Sequence, residues 1–319
     1  MALVDVTEQE LLAAITRLLT GPLPGVVVGV GDDAAVVERG SGELVLTTDA
    51  LVEGSHFDRS TTSARHLGFK AVTVSVSDVA AMGASPRFAL CALTLSDETD
   101  VSWAMELFGG MREACDEYGL TLVGGNLARG SEVNVAVTVT GEVAPGRAVT
   151  RSGADPGDVI VITGALGASA AGLRLAPLRQ KWSDDERAAV RRHFHPIARV
   201  GEAMVLARNG ATSMIDVSDG LTLDLARIAA ASDVGVRLHL SDVPVDPAAR
   251  RDEALSGGED YELLATIPPD GVEPARAELS ETFGVGLTAI GAVVERGCVV
   301  IDDDGIEREL EPAGWDHFA

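Results

Sequence analysis

The chain has 319 residues, 46% hydrophobic and 23% charged, the balance of a soluble globular protein with room for two domains. Acidic residues outnumber Lys and Arg 49 to 25, a formal charge of −24, and that field repels nucleic acid and anionic lipid, which are excluded as partners. Cys91, Cys115 and Cys298 form no CxxC pair, which argues against zinc and against a disulfide framework and suits a reducing compartment. No apolar run approaches the ~18 residues of a membrane span. The first residues carry Asp5, Glu8 and Glu10 with no basic leader, so a cytoplasmic location is expected.

Residues 7–19 open on a capping box, Thr7 with Glu10, and place Leu11, Leu12, Ile15, Leu18 and Leu19 at helical spacing. Strand-like runs follow at 26–30 and 44–48. Residues 63–82 predict a helix, with Ala64, Leu67, Ala71, Val74, Val79 and Ala80 at three- and four-residue steps, ended by Gly83 and Pro86. A strand is expected at 87–95, a helix at 101–118 with Trp103, Leu107, Met111 and Cys115 on one face, and strands at 120–123 and 133–143. Turn residues crowd 145–157, where the domain boundary is set. Beyond it come a strand at 158–163, a small-residue helix start at 164–172, helices at 184–193 and 200–208, and a strand at 211–216 leading to a helix at 221–231. Strands at 234–240, 261–267, 286–294 and 298–301 complete a second mixed sheet. Strands and helices interleave in both halves, which is the pattern of α/β domains.

The acids stand at the junctions of these elements. Asp32 and Asp33 are adjacent in the turn Gly29-Val30-Gly31-Asp32-Asp33-Ala34-Ala35, and adjacent carboxylates repel unless water or a cation offsets them. Single aspartates recur in Thr47-Thr48-Asp49, Ser77-Asp78 and Asp216-Val217-Ser218-Asp219-Gly220, each beside small hydroxyl or glycine residues. Oxygen ligands drawn from several element ends suit a hard cation such as Mg2+. Helix capping or turn formation accounts for any one of them alone, but not for the twin-Asp turn and the whole set together.

Other features carry less. No GxxxxGK[ST] loop exists, and neither lysine, Lys70 or Lys181, lies in a Gly-rich loop. The 164–172 stretch suits a phosphate at a helix N-terminus or tight helix packing equally well. His193-x-His195, followed at once by Pro196, reads as structural. His56 sits in a polar loop directly after the Asp49 strand, within reach of whatever Asp49 binds. Ser55 and Ser218 fit no nucleophilic triad. Ser256-Gly257-Gly258-Glu259-Asp260-Tyr261-Glu262-Leu263 is a turn that brings acids and backbone close to a ligand. The tail Gly314-Trp315-Asp316-His317-Phe318 keeps large aromatics, either as a packing anchor or as a lid over a ring.

These segments give the chain a likeness that runs from about Gly29 to its last residues. GVGDDAAVV (29–37), TTDALVEGSHF (47–57), KAVTVSVSDVAAMGASP (70–86), TRSGADPGD (150–158), IDVSDGL (215–221), SGGEDYEL (256–263) and GWDHF (314–318) resemble the thiamine-monophosphate kinase family. That family lies in the superfamily of aminoimidazole ribonucleotide synthetase and selenophosphate synthetase. The resemblance implies an α/β (α+β) fold of two mixed domains, 1–147 and 148–319. The N-terminal domain would carry the ATP and Mg2+ site and pair with its counterpart across a homodimer, while the C-terminal domain would add metal ligands and the substrate pocket. The implied activity is direct in-line transfer of the ATP γ-phosphoryl group to thiamine monophosphate. An acceptor that is already anionic needs no strong base, so positioning and metal clamps would carry the catalysis.

Matched position by position, the resemblance makes Asp33, Thr47, Thr48, Asp49, Asp78, Asp216 and Asp219 ligands of several Mg2+ ions, with Asp33, Asp78 and Asp216 central to catalysis and Asp32 acting through water. Gly125, Arg151 and Ser218 would contact ATP. His56, Glu259 and Trp315 would line the thiamine-phosphate pocket, where an aromatic face suits the cationic thiazolium ring. One position departs: the usual Gly-Gly-Asp is Gly124-Gly125-Asn126 here. Asn126 keeps a carbonyl oxygen but no charge, so weaker affinity for one metal ion is expected, with activity retained. The rivals are a sister ATP-dependent enzyme of the selenophosphate or aminoimidazole ribonucleotide synthetase type and a non-catalytic metal-binding relative. A selenophosphate enzyme wants a reactive Cys in a mobile N-terminal segment, and the first cysteine here, Cys91, lies inside an apolar strand.

Overall fold

The computed structural model describes residues 8–18, 24–28, 36–38, 40–178 and 181–315. Thr7, the twin Asp32–Asp33 turn and residues 316–319 of the tail lie outside them. The chain divides into two compact units, Met1–Val79 with Ser85–Gly146, and Ala80–Ala84 with Arg147–Ala319.

The first unit runs α1 (Glu8–Leu18), β1 (Val26–Val28), β2 (Val36–Val37), β3 (Glu43–Val52), α2 (Ala64–Ala81), β4 (Ser85–Leu95), α3 (Val101–Tyr118), β5 (Thr121–Arg129) and β6 (Asn134–Val143), the last two residues of α2 being counted with the second unit. Four strands form a sheet in the order β3-β6-β4-β5, and β1 pairs with β2 separately. Side chains alternate between the two faces of a strand, and the sheet uses that alternation fully. Val135, Val137 and Val139 of β6 and Ala89, Cys91 and Leu93 of β4 are buried on one face. The other face is open, with Leu44 67%, Leu46 63% and Leu90 42% exposed.

Helix α2 lies over the covered face, where the Ser75 hydroxyl approaches the Val137 carbonyl. Every residue from Leu67 to Ala80 is buried except Asp78, so beyond its exposed first turn the helix is packed all round and opens only at that carboxylate. Two glycines set its distance from α3. A Cβ on Gly68 would stand 1.9 Å from the Leu107 carbonyl oxygen, and one on Gly110 would stand 1.9 Å from that of Arg65. Any side chain there would push α2 away and carry Ser75 and Asp78 off the sheet.

The second unit runs β7 (Val159–Thr163), α4 (Ala168–Leu175), α5 (Asp184–Phe194), α6 (Val200–Arg208), β8 (Ser213–Asp216), α7 (Leu221–Ser232), β9 (Gly235–His239), α8 (Arg251–Ser256), β10 (Leu263–Ile267), α9 (Pro269–Phe283), β11 (Leu287–Val294), β12 (Cys298–Ile301) and β13 (Glu307–Glu309). The sheet order is β13-β12-β9-β11-β7-β10-β8, antiparallel except between β12 and β9. Both faces are covered, which is why β7 and β10 are almost continuous apolar runs. One core joins Ile160, Ile162 and Leu264 to Leu221, Leu225 and Ile228 of α7. The other joins Val161, Leu263 and Ala265 to Leu206 of α6, Leu279 of α9 and the α2 residues Ala80 and Ala81. Each such buried Leu or Ile contributes roughly 1.5–3 kcal/mol relative to exposure.

Most elements form where the periodicity places them, with α3 matching at both ends. Helix α9 is the main addition. Pro269, Gly271 and Pro274 obscure its period in the sequence, yet Val272, Ala275 and Leu279 recur at helical spacing and are buried. Pro269 stands at the first helical position, where its missing N–H costs nothing.

Candidate active site

In the first unit, β3 and α2 bring a polar cluster together. Thr47 and Asp49 are two residues apart on β3 and therefore share a face. Ser75 and Asp78 are three apart on α2 and also share a face. The Thr47 hydroxyl donates to Asp78 Oδ2 at 2.5 Å. Ser75 Oγ lies 2.9 Å from Asp49 Oδ2 and 3.0 Å from the Val137 carbonyl oxygen, so its single proton serves one of them at a time. Burial pushes the Asp49 carboxyl up to about 6, and the negative charge of Asp78 pushes in the same direction, against the Ser75 hydrogen bond. Two carboxylates that repel, set among hydroxyls, are an oxygen-only donor set that suits Mg2+. Among the described residues, no group of three acidic, His or Cys side chains gathers as a metal site; Asp33 falls outside those residues.

Thr48 does not join this cluster. It faces the open side of the sheet, where it accepts from the Thr138 hydroxyl at 3.0 Å. Asn126 is exposed on that same side, opposite Ala92 on β4. Strands β3 and β5 are three steps apart in the sheet, about 14 Å at the usual spacing, so Thr48 and Asn126 of one chain hold separate places. The neighbouring Gly125 has a packing reason to be glycine, since a Cβ would meet the Cys91 carbonyl oxygen at 1.9 Å. His56 closes the turn after β3, its Nδ1 accepting the Val52 N–H at 3.2 Å. In the neutral ring the proton then sits on Nε2.

In the second unit, the ladder between β8 and β10 continues past the strand ends. The N–H groups of Val217, Glu259 and Tyr261 donate to Glu262, Ser218 and Val217 carbonyls at 2.8, 2.7 and 2.9 Å. The Trp315 N–H donates to the Asp219 carbonyl at 3.0 Å. Ser218, Asp219, Glu259 and Trp315 thus converge, beside the buried Asp216 at the end of β8. The Trp315 side chain is 49% exposed there, more than a packing anchor would leave. Arg151 is exposed at the start of the unit, its carbonyl accepting from Ser232 Oγ.

Capping does not consume these acids. Helix α7 has Gly220 at its N-cap, and it is Asp224, inside the helix, that accepts the N–H groups of Asp219 and Gly220 at 3.2 Å each. Asp219 instead pairs with Arg227 at 2.6 Å, and a metal ion there would compete with that guanidinium.

Several contacts that shape the site are not visible in the sequence. Glu259 and Tyr261 adopt φ of +67° and +53°, a left-handed conformation that costs a side-chain-bearing residue roughly 1–2 kcal/mol. The flanking acids hold the loop in place. Asp260 accepts the N–H groups of Gly167 and Ser169 at 2.6 and 3.2 Å, while burial pushes its carboxyl up to about 7. Glu262 is gripped by Arg192 at 2.5 Å, Arg199 at 2.6 Å and the Thr163 hydroxyl at 2.6 Å. His193, read as structural, is buried with its Nδ1 3.0 Å from Ser169 Oγ and 3.4 Å from Glu259 Oε2. The clustering of acids in GGEDYEL was the only local signal, and their partners lie many residues away.

Two family profiles, described as AIR synthase related protein, N-terminal domain and C-terminal domain, match residues 31–143 and 155–304. The thiamine-monophosphate kinase of Escherichia coli (strain K12) is 39% identical over 311 residues, covering 92% of this chain and 93% of that protein. The chain belongs to the thiamine-monophosphate kinase family. The crystal structure of the family member from Stenotrophomonas maltophilia K279a superposes with a TM-score of 0.82 at 33% identity, covering 98% of this chain and 99% of that one. A structure of AaThiL complexed with AMPPCP and TMP gives 0.79 at 34% identity, covering 100% and 99%. Hydrogenase maturation protein HypE in complex with ATP reaches 0.80 at 22% identity, a likeness of fold alone. The α/β architecture of two AIR synthase related domains is therefore that of the thiamine-monophosphate kinase family.

Proposed function

We propose that this chain transfers the γ-phosphoryl group of ATP to the phosphate of thiamine monophosphate, forming thiamine diphosphate and ADP. The observation that carries this reading is likeness along the whole chain to a structure complexed with AMPPCP and TMP. AMPPCP stands in for ATP, a methylene group replacing the bridging oxygen that transfer would break.

Magnesium, when bound, offsets negative charge on the phosphates so that two polyanions can approach. In this reading Thr47, Asp49 and Asp78, with Asp33, hold one ion in the first unit, Thr48 and Asn126 serve separate places on the open sheet face, and Asp216 and Asp219 hold metal in the second unit. The repulsion between Asp49 and Asp78 supports the assignment, because a cation would relieve it. Gly125, Arg151 and Ser218 contact ATP. His56, Glu259 and Trp315 receive thiamine monophosphate, Trp315 offering an aromatic face to its cationic ring.

The chain acts as a homodimer in this reading. The open sheet face with Leu44, Leu46 and Leu90 is the apolar surface a second copy would cover. Thr48 and Asn126 on that face would then stand at the dimer interface, beside ATP. A reaction that draws on ATP supports a cytoplasmic location. No helix of the described residues is long and apolar enough to cross a membrane.

The test is an acceptor panel: purified protein with ATP, Mg2+ and, in turn, thiamine monophosphate, thiamine and an aminoimidazole-pathway acceptor. Thiamine diphosphate is expected from the monophosphate alone. Its formation only from thiamine, or turnover only with the purine-pathway acceptor, would overturn the reading.

A further inference from the structure

Glu259 is held by more than its own backbone. Its neighbour Asp260 accepts the Ser169 N–H, Ser169 Oγ lies 3.0 Å from His193 Nδ1, and that same Nδ1 lies 3.4 Å from Glu259 Oε2. The first turn of α4, the last turn of α5 and the loop 256–263 are thereby joined in a closed circuit. The adjacent Arg192 grips Glu262 from the same turn of α5, so the helix holds the loop at two points. The ring itself has little freedom: it is 7% exposed and packs edge-on against Phe194, centroids 4.9 Å apart.

We propose that His193 is a positioning residue for thiamine monophosphate, fixing the direction of the Glu259 carboxylate through an Nδ1 proton that Ser169 shares, in a ring held by burial and Phe194. The inference rests on the reading of Glu259 as a substrate contact. The left-handed backbone at Glu259 sets where its side chain starts, but the bonds beyond Cα still allow the carboxylate to swing. A proton on Nδ1 donated to Oε2 removes that freedom before the substrate arrives, which lowers the ordering cost of binding. With the proton on Nδ1 the Ser169 hydroxyl oxygen can only accept, so it shares that proton with Oε2 and keeps it on this side of the ring. A histidine serving only the core would need neither the carboxylate nor a serine that is itself tied to the next residue of the loop.

Steady-state kinetics of Glu259→Ala, His193→Leu, His193→Asn, Ser169→Ala and the double variant Glu259→Ala/His193→Leu test this. His193→Leu is expected to raise KM for thiamine monophosphate about tenfold, the loss of one hydrogen bond to a charged group, with KM for ATP unchanged. His193→Asn keeps an N–H near the Nδ1 position and is expected to stay within about threefold of wild type. In the Glu259→Ala background, His193→Leu should add nothing, because the residue it positions is gone. Ser169→Ala should shift the same KM in the same direction and carries the test if His193→Leu does not fold. A raised KM in Glu259→Ala with no change in either His193→Leu or Ser169→Ala overturns the positioning role alone, as do effects that add fully in the double variant. A wild-type KM in Glu259→Ala overturns the substrate assignment itself and the inference with it.

Discussion

In the first unit Asp49 and Asp78 lie together with the hydroxyls of Thr47 and Ser75, whereas in the second unit Asp219, Glu259 and Glu262 face Arg227, His193 and the pair Arg192 and Arg199. The same side-chain chemistry therefore does two jobs. Where two carboxylates meet, ionisation is made harder, as the raised Asp49 carboxyl shows, and a cation from solution is what relieves the strain. Where a carboxylate meets guanidinium groups, charge is settled within the protein and the product is shape, here a loop held in a conformation its residues disfavour.

Changing an acid to its amide should then have opposite consequences in the two units. The largest effect is expected at Asp78→Asn. Loss of a proposed magnesium ligand should cut thiamine diphosphate formation roughly a hundredfold or more, while thermal stability holds or rises because Asp49 loses a repelling neighbour. A near-normal rate would remove Asp78 from the metal site. Next comes Glu262→Gln, which removes the carboxylate shared by the part-buried Arg192 and Arg199, Arg199 keeping Glu202 at 3.0 Å. Urea unfolding should show a loss of about 3 kcal/mol, and an unchanged midpoint would mean that the arginines find solvent instead.

The smallest effect concerns Asp260. Its carboxyl is raised from 3.8 to about 7, chiefly by burial, so the folded state keeps the proton to higher pH than the unfolded chain. The stability linked to that proton is complete below pH 3.8 and is lost as pH rises toward about 7. Asp260→Asn cannot ionise, so its melting temperature should fall less than that of wild type across this window. Parallel melting curves would show that Asp260 is ionised in the folded protein throughout.

Much of this was readable in the residues. A 3.6-residue period located α3 to the residue, and alternation along β3 already separates Thr48 from Thr47 and Asp49. Helix α9 was hidden because Pro269, Gly271 and Pro274 are breakers by local rule, and only the core that receives Val272, Ala275 and Leu279 overrides them. The acids stand out by their place at element junctions, and the remaining positions of the site follow from the resemblance to the kinase family. Their supports could not be found either way: His193 lies 66 residues from Glu259 and Thr163 99 residues from Glu262, and no local pattern reports a pairing over that span. Asp224 reaching back to cap its own helix has the same character, since a carboxylate in the first turn does not announce which N–H groups it serves.

The most direct measurement is a magnesium titration of thiamine diphosphate formation in wild type and in Asp49→Asn. If Asp49 and Asp78 hold the cation that lets ATP and thiamine monophosphate meet, the Mg2+ concentration at half-maximal rate should rise about tenfold or more in the variant. The same half-maximal concentration in both proteins would contradict the account.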